Sequence, residues 1–330
     1  MPSLYVSQPG AKLEIEYERL LVTIQDEVIT RIPIANINQI IIIGQAGMTT
    51  PAIHSLLYRK IPVFFLNRAG SVYGGLLPNL DSSFQTRKQQ YGLLDDERFK
   101  QAVSREQIAA KIHNQRVIAS RLHRSNQLVT PKDLAALSQL RVEAEEAATI
   151  EVLRGIEGTA ARIYFDTLSR VIPIEWHFND RNRRPPRDPV NAMLSFGYSL
   201  LVTAMCGSLQ LAGLDPYAGY LHSPSRGKPA LALDLMEEFR APVVDAMVIA
   251  AVHNHRIHTN CFSESSEGCL LNEKGRRIVT DLFIEKINQP LQTKQIRRAI
   301  SYQKHFEVQA RHLKKSILHP EIGYRGFRIR

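Results

Sequence analysis

The chain has 330 residues, with 42 lysines and arginines against 32 aspartates and glutamates, so its formal net charge is +10. Hydrophobic residues at 44% and charged residues at 22% are ordinary globular values, which exclude a disordered, collagen-like or coiled-coil chain. Three cysteines fit a reducing compartment, and neither a leader peptide nor an apolar run of about 20 residues is apparent. We therefore expect a cytoplasmic protein without membrane contact, whose excess positive charge favours a polyanionic partner.

Residues 1–80 are predicted to form a small β domain. Leu13 and Ile15 alternate with charged residues, as in a half-buried strand. The run Ile40–Ile43 is apolar on both faces, which is typical of a buried strand. Thr50 followed by Pro51 predicts the start of one short helix as its N-cap and first-turn proline.

The composition changes after this domain. Glycine, proline and serine residues precede a predicted linker at 81–95, and apolar residues recur at three- and four-residue spacing through 96–330. Three of the predicted helices begin at a proline, namely Pro131, Pro189 and Pro242. The predicted fold class is therefore α+β, a small N-terminal β-strand domain followed by a larger all-α domain.

A glutamate between two glycines is the first candidate for chemistry. Gly155 and Gly158 flank Glu157 inside a predicted helix, where each glycine costs about 1 kcal/mol relative to alanine. Such a cost implies close approach of another backbone or of a ligand beside Glu157. Tight helix packing with a solvated glutamate is the alternative.

Acids and a histidine form the second candidate. Asp234, Glu237 and Glu238 are spaced to share one helix face in an apolar setting, with Arg240 as a charge partner. His222 ends an aromatic, glycine-containing segment just before them. One imidazole with two or three carboxylates makes a mixed nitrogen and oxygen site suited to Mn²⁺ or Mg²⁺, although three acids on a helix are more often a solvated surface.

Other sites are less well supported. A zinc site is disfavoured because the spacing of its candidate ligands, His253, His255, His258, Cys261 and Cys269, matches no standard pattern. The sequence also has no Walker A, GxGxxG or GxSxG motif.

Basic residues cluster in two places. A proline-containing loop and the segment after the histidine supply the predicted DNA-binding residues Arg181, Arg183, Arg184, Arg187, Arg226 and Lys228. The residues from Lys294 to Arg330 carry a further excess of positive charge, which predicts a phosphate-binding surface unless it belongs to a solvated helix and tail.

Several motifs in order resemble the CRISPR-associated integrase family, the universal spacer-acquisition nuclease. They are LRGIEGTAARIYF at 153–165, RPPRDPVN at 184–191, SFGY at 195–198, GLDPYAGYLH at 213–222 and LDLMEEFR at 233–240. The resemblance covers essentially the whole chain, including its β-then-α order. One departure is Cys261, where relatives carry an acidic residue before the phenylalanine.

The resemblance implies that Glu157, His222 and Glu237 are catalytic ligands of a divalent metal, Mg²⁺ or Mn²⁺, with Asp234 in support. It implies insertion of prespacer DNA into the CRISPR array by transesterification, in which a DNA 3′-hydroxyl is the nucleophile. Its implied partners are DNA of the prespacer and of the CRISPR repeat and leader, a second copy of the chain joined through the β domains, and a small ferredoxin-like CRISPR-associated protein in a heterohexamer.

Two alternatives belong to other classes. The first is a non-catalytic DNA-binding scaffold of the same fold, which would have no need of buried acids facing an imidazole. The second is a metal enzyme acting on a small acidic substrate, which would leave the basic stretches without a role.

Overall fold

The structure is a computed structural model that describes residues 3–68, 72–78, 83–125, 128–182, 185–223, 227–265, 268–294 and 296–330. The chain divides into two units, Met1–Ser83 and Phe84–Arg330. The first is rich in strands and the second in helices, which confirms the predicted α+β fold class.

Two four-stranded sheets make up most of the first unit. The strands are β1 (Ser3–Val6), β2 (Ala11–Glu16), β3 (Arg19–Ile24), β4 (Glu27–Pro33), β5 (Gln39–Ile43), β6 (Gly47–Met48), β7 (Val63–Leu66) and β8 (Val72–Leu76). One sheet has the order β4-β3-β2-β6, with antiparallel pairing except between β2 and β6. The other has the order β1-β5-β7-β8, parallel except for β8.

The core of this unit forms where the sequence pattern predicted a buried strand. Every residue of β5 from Ile40 to Ile43 is buried, as expected of a strand apolar on both faces. Leu13 and Val63 join the same cluster. Helix α1 (Thr50–Tyr58) is capped by Thr49 rather than by the predicted Thr50, since the Thr49 hydroxyl accepts a hydrogen bond from the amide of Ala52.

Helices dominate the second unit. They are α2 (Ser83–Gly92), α3 (Glu97–Ser125), α4 (Pro131–Glu146), α5 (Ile150–Val171), α6 (Pro189–Leu211), α7 (Ala230–Met236), α8 (Ala246–His253), α9 (Glu273–Asn288) and α10 (Tyr302–Leu318). Two antiparallel pairs of short strands interrupt them, β9 (Phe262–Ser265) with β10 (Gly268–Leu271) and β11 (Pro290–Leu291) with β12 (Ile300–Ser301). The segment 81–95, predicted as a linker, is mostly helical because α2 occupies ten of its residues.

Two of the three proline signals mark helix starts. Thr130 caps α4 in a capping box with Asp133, and the Asp188 carboxylate caps α6 by accepting from the amide of Asn191 at 2.8 Å. The prediction for Pro242 is wrong. It lies inside a π-helical stretch, Arg240–Asp245, that continues from α7 without a new start.

Helix α6 is long and apolar. Within the described part of the chain it is the one helix that could cross a membrane by length and composition, but 83% of its most apolar window is buried inside the unit. A buried core helix passes the same test, so its apolar character is explained by packing.

The 29-residue helix α3 lies at the centre of the second unit. It packs against α4, α5 and the residues that follow α7. Residues 323–330, which we call the C-terminal segment, run along it without regular structure. Asn114 of α3 donates to the carbonyl of Phe327 and accepts from the amide of Ile329, so the end of the chain is fixed to this helix.

Candidate active site

Glu157 projects from the middle of α5 between its two glycines. Its side chain is 26% exposed. Among the described residues, no atom from beyond the adjoining turns of the helix lies within 4 Å of the place where a Cβ would stand on Gly155 or Gly158. Both glycines are exposed, so tight helix packing does not account for them.

Lys111 links Glu157 to Glu237. The Lys111 side chain is only 5% exposed, and its ammonium forms ion pairs with Glu157 Oε1 and with Glu237 Oε2, the latter at 2.7 Å. Two carboxylates from different helices thus reach the same cation. Glu237 Oε2 accepts no well-directed hydrogen bond from the described residues, although it is buried.

The three acids after His222 do not share one face. Helix α7 ends at Met236, and the chain continues as a 3₁₀ turn, Glu237–Phe239, before the π-helical stretch. Because the helical pitch changes there, the three side chains point to different partners. The expectation that Asp234, Glu237 and Glu238 share one helix face is therefore wrong.

Glu238 belongs to the core. It accepts hydrogen bonds from the Tyr324 hydroxyl at 2.5 Å, from the Gln309 amide at 3.0 Å and from the Phe327 amide at 2.7 Å. Burial raises the pKa of Glu238 to about 8. This acid therefore anchors the C-terminal segment on the far side of the 3₁₀ turn.

Glu237 is held as a carboxylate. Its side chain is 4% exposed, and Oε1 accepts from Arg240 at 2.6 Å, as the sequence predicted. Burial raises the pKa of Glu237, but the Arg240 and Lys111 charges offset this and bring it to about 2. The Arg240 guanidinium lies in turn over the Tyr198 ring, 4.1 Å from its centroid.

Asp234 orients His222. The Asp234 side chain is fully buried and accepts from the backbone amides of Tyr220, Leu221 and His222, and its Oδ1 lies 2.7 Å from His222 Nδ1. Gly219 is required for this closeness, because a Cβ there would lie 2.8 Å from Asp234 Oδ2. The arrangement fixes the imidazole and leaves its Nε2 outside the contact.

The electrostatics of His222 reflect the neighbouring acids. The hydrogen bond that His222 donates to Asp234 raises the pKa of His222 despite partial burial, and the charges of Glu237 and Glu157 raise it further. The charges of Glu157, His222 and Glu237 therefore interact with one another. Lys111 bridges the two glutamates.

The donor set suits a divalent cation. Two carboxylates already reach one ammonium, and an oriented imidazole adds a nitrogen, which is the mixed set that Mg²⁺ or Mn²⁺ accepts. In the described part of the chain, however, no three His, Cys, Asp or Glu side chains are close enough together to enclose an ion as they stand. The same holds for the described side chains of His253, His255, His258, Cys261 and Cys269.

An open cavity of about 340 Å³ adjoins these residues. Its lining includes Glu157 and His222 together with the cationic side chains Arg154 and Lys228. A second cavity of about 650 Å³ shares Arg154 and His222 and extends toward the start of α3. The predicted DNA-binding residue Lys228 thus lines the same cavity as Glu157.

The remaining basic residues occupy different settings. The Arg181 guanidinium donates to Asn191 Oδ1 at 2.6 Å and to Ser195 Oγ at 3.1 Å, so it is engaged within the fold. Arg187 is exposed. Arg183, Arg184 and Arg226 lie outside the described residues.

A family model described as "CRISPR associated protein Cas1" matches residues 4–285. The chain belongs to the Cas1 family. It is 34% identical over 321 residues to a CRISPR-associated exonuclease Cas4/endonuclease Cas1 fusion of Rhodospirillum rubrum, covering 95% of this chain and 55% of that protein. The chain therefore spans little more than half the length of that relative.

Two further Cas1 proteins match over nearly their whole length, and a larger complex matches over part of one chain. A CRISPR-associated endonuclease Cas1 of Thermus thermophilus is 34% identical, with 96% of each chain covered. A solved CAS1 structure from Thermotoga maritima superposes with a TM-score of 0.80 at 25% identity, covering 99% of both chains. A Cas6-RT-Cas1–Cas2 complex superposes with a TM-score of 0.79 at 28% identity, covering 96% of this chain and 35% of that one.

Sequence reasoning missed two cations of the site. Lys111 lies in the apolar run Ile108–Ile112 of a helix, where a charged side chain with no visible partner was the available signal. Arg154 stands one helical turn before Glu157 and donates to the Leu221 carbonyl at 2.6 Å. Both partnerships cross large sequence separations, so spacing alone could not reveal them.

Proposed function

We propose that this chain is a divalent-metal-dependent DNA endonuclease and integrase of CRISPR adaptation. It would insert prespacer DNA into the CRISPR array, with Glu157, His222 and Glu237 holding Mg²⁺ or Mn²⁺. The carrying observation is that carboxylates on two separate helices reach one buried ammonium beside an oriented imidazole. Endonuclease activity in the names of similar Cas1 proteins supports the same proposal.

Each residue has a distinct part in the proposed chemistry. When bound, the divalent ion supplies Lewis acidity at the scissile phosphate and stabilises charge on the entering and leaving oxygens. Asp234 keeps His222 in position, and Arg240 keeps Glu237 ionised. Arg154 and Lys228 at the cavity wall would attract the non-bridging phosphate oxygens.

The proposed reaction is a direct phosphoryl transfer. The prespacer 3′-hydroxyl oxygen forms a bond to the target phosphorus and loses its proton. The bond between that phosphorus and the target's 3′ oxygen breaks, and this oxygen leaves with a proton. Water in place of the hydroxyl gives hydrolysis at the same site, so no covalent enzyme intermediate is required.

The proposed assembly is cytoplasmic and follows the family. We propose a homodimer that joins the small ferredoxin-like protein Cas2 in a heterohexamer and binds prespacer, repeat and leader DNA. A similar Cas1 chain solved in a complex with Cas2 supports the Cas2 partnership. The net charge of +10 supports the DNA partnership.

One observation favours a second candidate function, a non-catalytic DNA-binding scaffold. Lys111 pairs with both Glu157 and Glu237, and Arg240 adds a second positive charge beside Glu237, so internal ion pairs balance both carboxylates without metal. In that case the two acids would be structural.

Strand transfer separates the two functions. Labelled duplex with free 3′-hydroxyls is incubated with supercoiled plasmid in Mn²⁺, Mg²⁺ or EDTA, with and without the Cas2 partner. Wild type is compared with Glu157→Gln and His222→Ala. Glu151→Gln is the matched control, because Glu151 is an exposed acid on the same helix. DNA binding is recorded on the same samples.

Product that needs metal, is lost in Glu157→Gln and His222→Ala and persists in Glu151→Gln supports the integrase. DNA binding should survive both site substitutions. Binding by wild type without product, even with Cas2 and a repeat-bearing target, supports the scaffold. Full activity in the site variants would place the metal elsewhere.

A further inference from the structure

A second cationic cavity lies in the helical unit, away from the acids of the site. It has a volume of about 1010 Å³, and its walls come from α3, α4, the C-terminal segment and Lys294, which lies between β11 and β12. The cations that line it are Arg116, Arg124, Arg141, Lys294, Arg325, Arg328 and Arg330. We call it the basic cavity.

The charge of the basic cavity is poorly compensated. Glu106 is the acid in its lining, and it pairs with Arg328 at 3.2 Å, while Glu145 pairs with Arg328 and Arg141. Among the described residues, no carboxylate forms an ion pair with Arg116, Arg124, Lys294 or Arg325. Cations this crowded repel one another unless an anion joins them.

Two groups in its walls reflect this imbalance. The Nε of Arg116 is buried and has no hydrogen-bond partner among the described residues. Burial lowers the pKa of His113, and the charges of Arg328, Arg141 and Arg116 lower it further. The cavity wall therefore has a donor without an acceptor and a positive potential.

The basic cavity is separate from the acids of the site. The α3 residues that line it follow three-, four- and seven-residue spacing along one helix face, and they are Glu106, His113, Arg116, Val117, Ser120 and Arg124. Lys111 lies on the opposite, buried face of the same helix. A ligand in the basic cavity would therefore be held across α3 from Glu157 and Glu237.

We propose that the basic cavity binds the sugar–phosphate backbone of a nucleic-acid strand, at a position distinct from the proposed catalytic site. Arginine forks match phosphate oxygens. The lining has no Phe, Tyr or Trp on which a base could stack, so the contact is to the backbone and independent of sequence. This inference rests on the proposed function only in taking DNA as the substrate.

The test compares two double variants with equal loss of charge. Arg116→Gln/Arg124→Gln removes two unpaired cations of the cavity. Arg297→Gln/Arg298→Gln is the control, because both side chains are exposed in the same basic region and neither lines the cavity. The affinity for a labelled duplex of mixed sequence is measured by fluorescence anisotropy across NaCl concentrations, in EDTA.

The cavity variant should bind DNA about 10-fold more weakly, and the slope of log affinity against log salt should fall by about 2, since each lost phosphate contact contributes about 0.9. The control should lose less than half of this. Thermal melting checks folding, and Arg124→Gln alone, exposed near the end of α3, gives a milder version with a slope change of about 1.

Equal effects of the two double variants would overturn the proposal. So would unchanged DNA affinity together with loss of pyrophosphate binding in a thermal-shift assay, which would assign the cavity to a small polyphosphate. Because binding is measured without metal, it is independent of catalysis. If the wild type makes no strand-transfer product but the cavity variant loses DNA affinity, the proposed function is contradicted and this inference is supported.

Discussion

The Lys111 ammonium determines how the two carboxylates of the site coexist. Glu237 is nearly buried and Glu157 is partly so, and without a cation between them their charges would repel in a poorly solvated setting. Arg240 compensates Glu237 alone. Lys111 is therefore a resident cation in the place where the proposed function puts a divalent ion.

Replacing Lys111 should couple stability to metal. In Lys111→Met the unfolding free energy in EDTA should fall by about 3 kcal/mol, because a buried ion pair loses one partner. Mn²⁺ should restore it and bind about 10-fold more tightly than to wild type, since it no longer competes with the ammonium. Chemical denaturation with and without Mn²⁺ and electron paramagnetic resonance of free Mn²⁺ measure both. Lys111→Arg keeps the charge and should resemble wild type; unchanged stability and affinity in Lys111→Met would contradict this role.

Asp234 should set the protonation of His222. Its hydrogen bond is the main cause of the raised pKa of His222, so Asp234→Asn should lower that pKa. In wild type the pair stabilises the fold fully below pH 6.5, the ordinary value, and the stabilisation is lost as pH rises through the higher folded value. The variant should lack this pH-dependent gain. Nitrogen-15 NMR titration in EDTA checks the shift, and an unmoved His222 midpoint would refute it.

Substituting alanine for Gly158 and for Gly219 should change the unfolding free energy in opposite directions. Gly158→Ala adds a Cβ into open space on α5 and should stabilise the protein by about 1 kcal/mol. Gly219→Ala places a Cβ 2.7 Å from the Ala230 backbone and should destabilise it by about 2 kcal/mol. Urea denaturation measures both. A stabilised Gly158→Ala with reduced strand transfer would mean that DNA occupies the space, whereas a destabilised one would contradict the open geometry.

Elements that depend on local signals were predictable from the sequence. The apolar run in β5 and the capped prolines that begin α4 and α6 act through neighbouring residues, and all three are confirmed. The start predicted at Pro242 failed because the chain was already helical there, in a π-helical stretch whose pitch no local pattern specifies. Helix α2 begins at Ser83, inside the predicted linker at 81–95.

Side-chain partnerships in the site were less predictable than its members. Local sequence patterns singled out Glu157, His222 and the acids Asp234, Glu237 and Glu238. The resemblance then implied that Glu157, His222 and Glu237 are the metal ligands. Which acid meets which partner depends on the 3₁₀ turn after α7 and on Lys111, 46 residues before Glu157. Only the folded chain reveals that Asp234 accepts a hydrogen bond from His222, whereas Glu238 accepts one from the Phe327 amide in the C-terminal segment.

The C-terminal segment connects the whole helical unit to the site. Residues beyond 285 lie outside the family-model match, yet Phe327 is buried and stacks on Phe239 with ring centroids 4.3 Å apart. Its backbone also bonds to Asn114, one turn from Lys111, and to Glu238, next to Glu237. The segment therefore braces both helical stretches that carry the site.

Removing the Phe327 ring should weaken the whole unit. Phe327→Ala should lower the unfolding free energy by about 3–5 kcal/mol, because a buried ring leaves a cavity among aromatic neighbours. Ile174→Ala, at a side chain 90% exposed, should change it by no more than about 0.5 kcal/mol. Since the same segment braces Asn114 and Glu238, Mn²⁺ affinity should fall in the folded Phe327→Ala protein as well. If Phe327→Ala loses stability but keeps its Mn²⁺ affinity, the segment contributes packing alone. If its stability equals that of Ile174→Ala, the segment does not support the site at all.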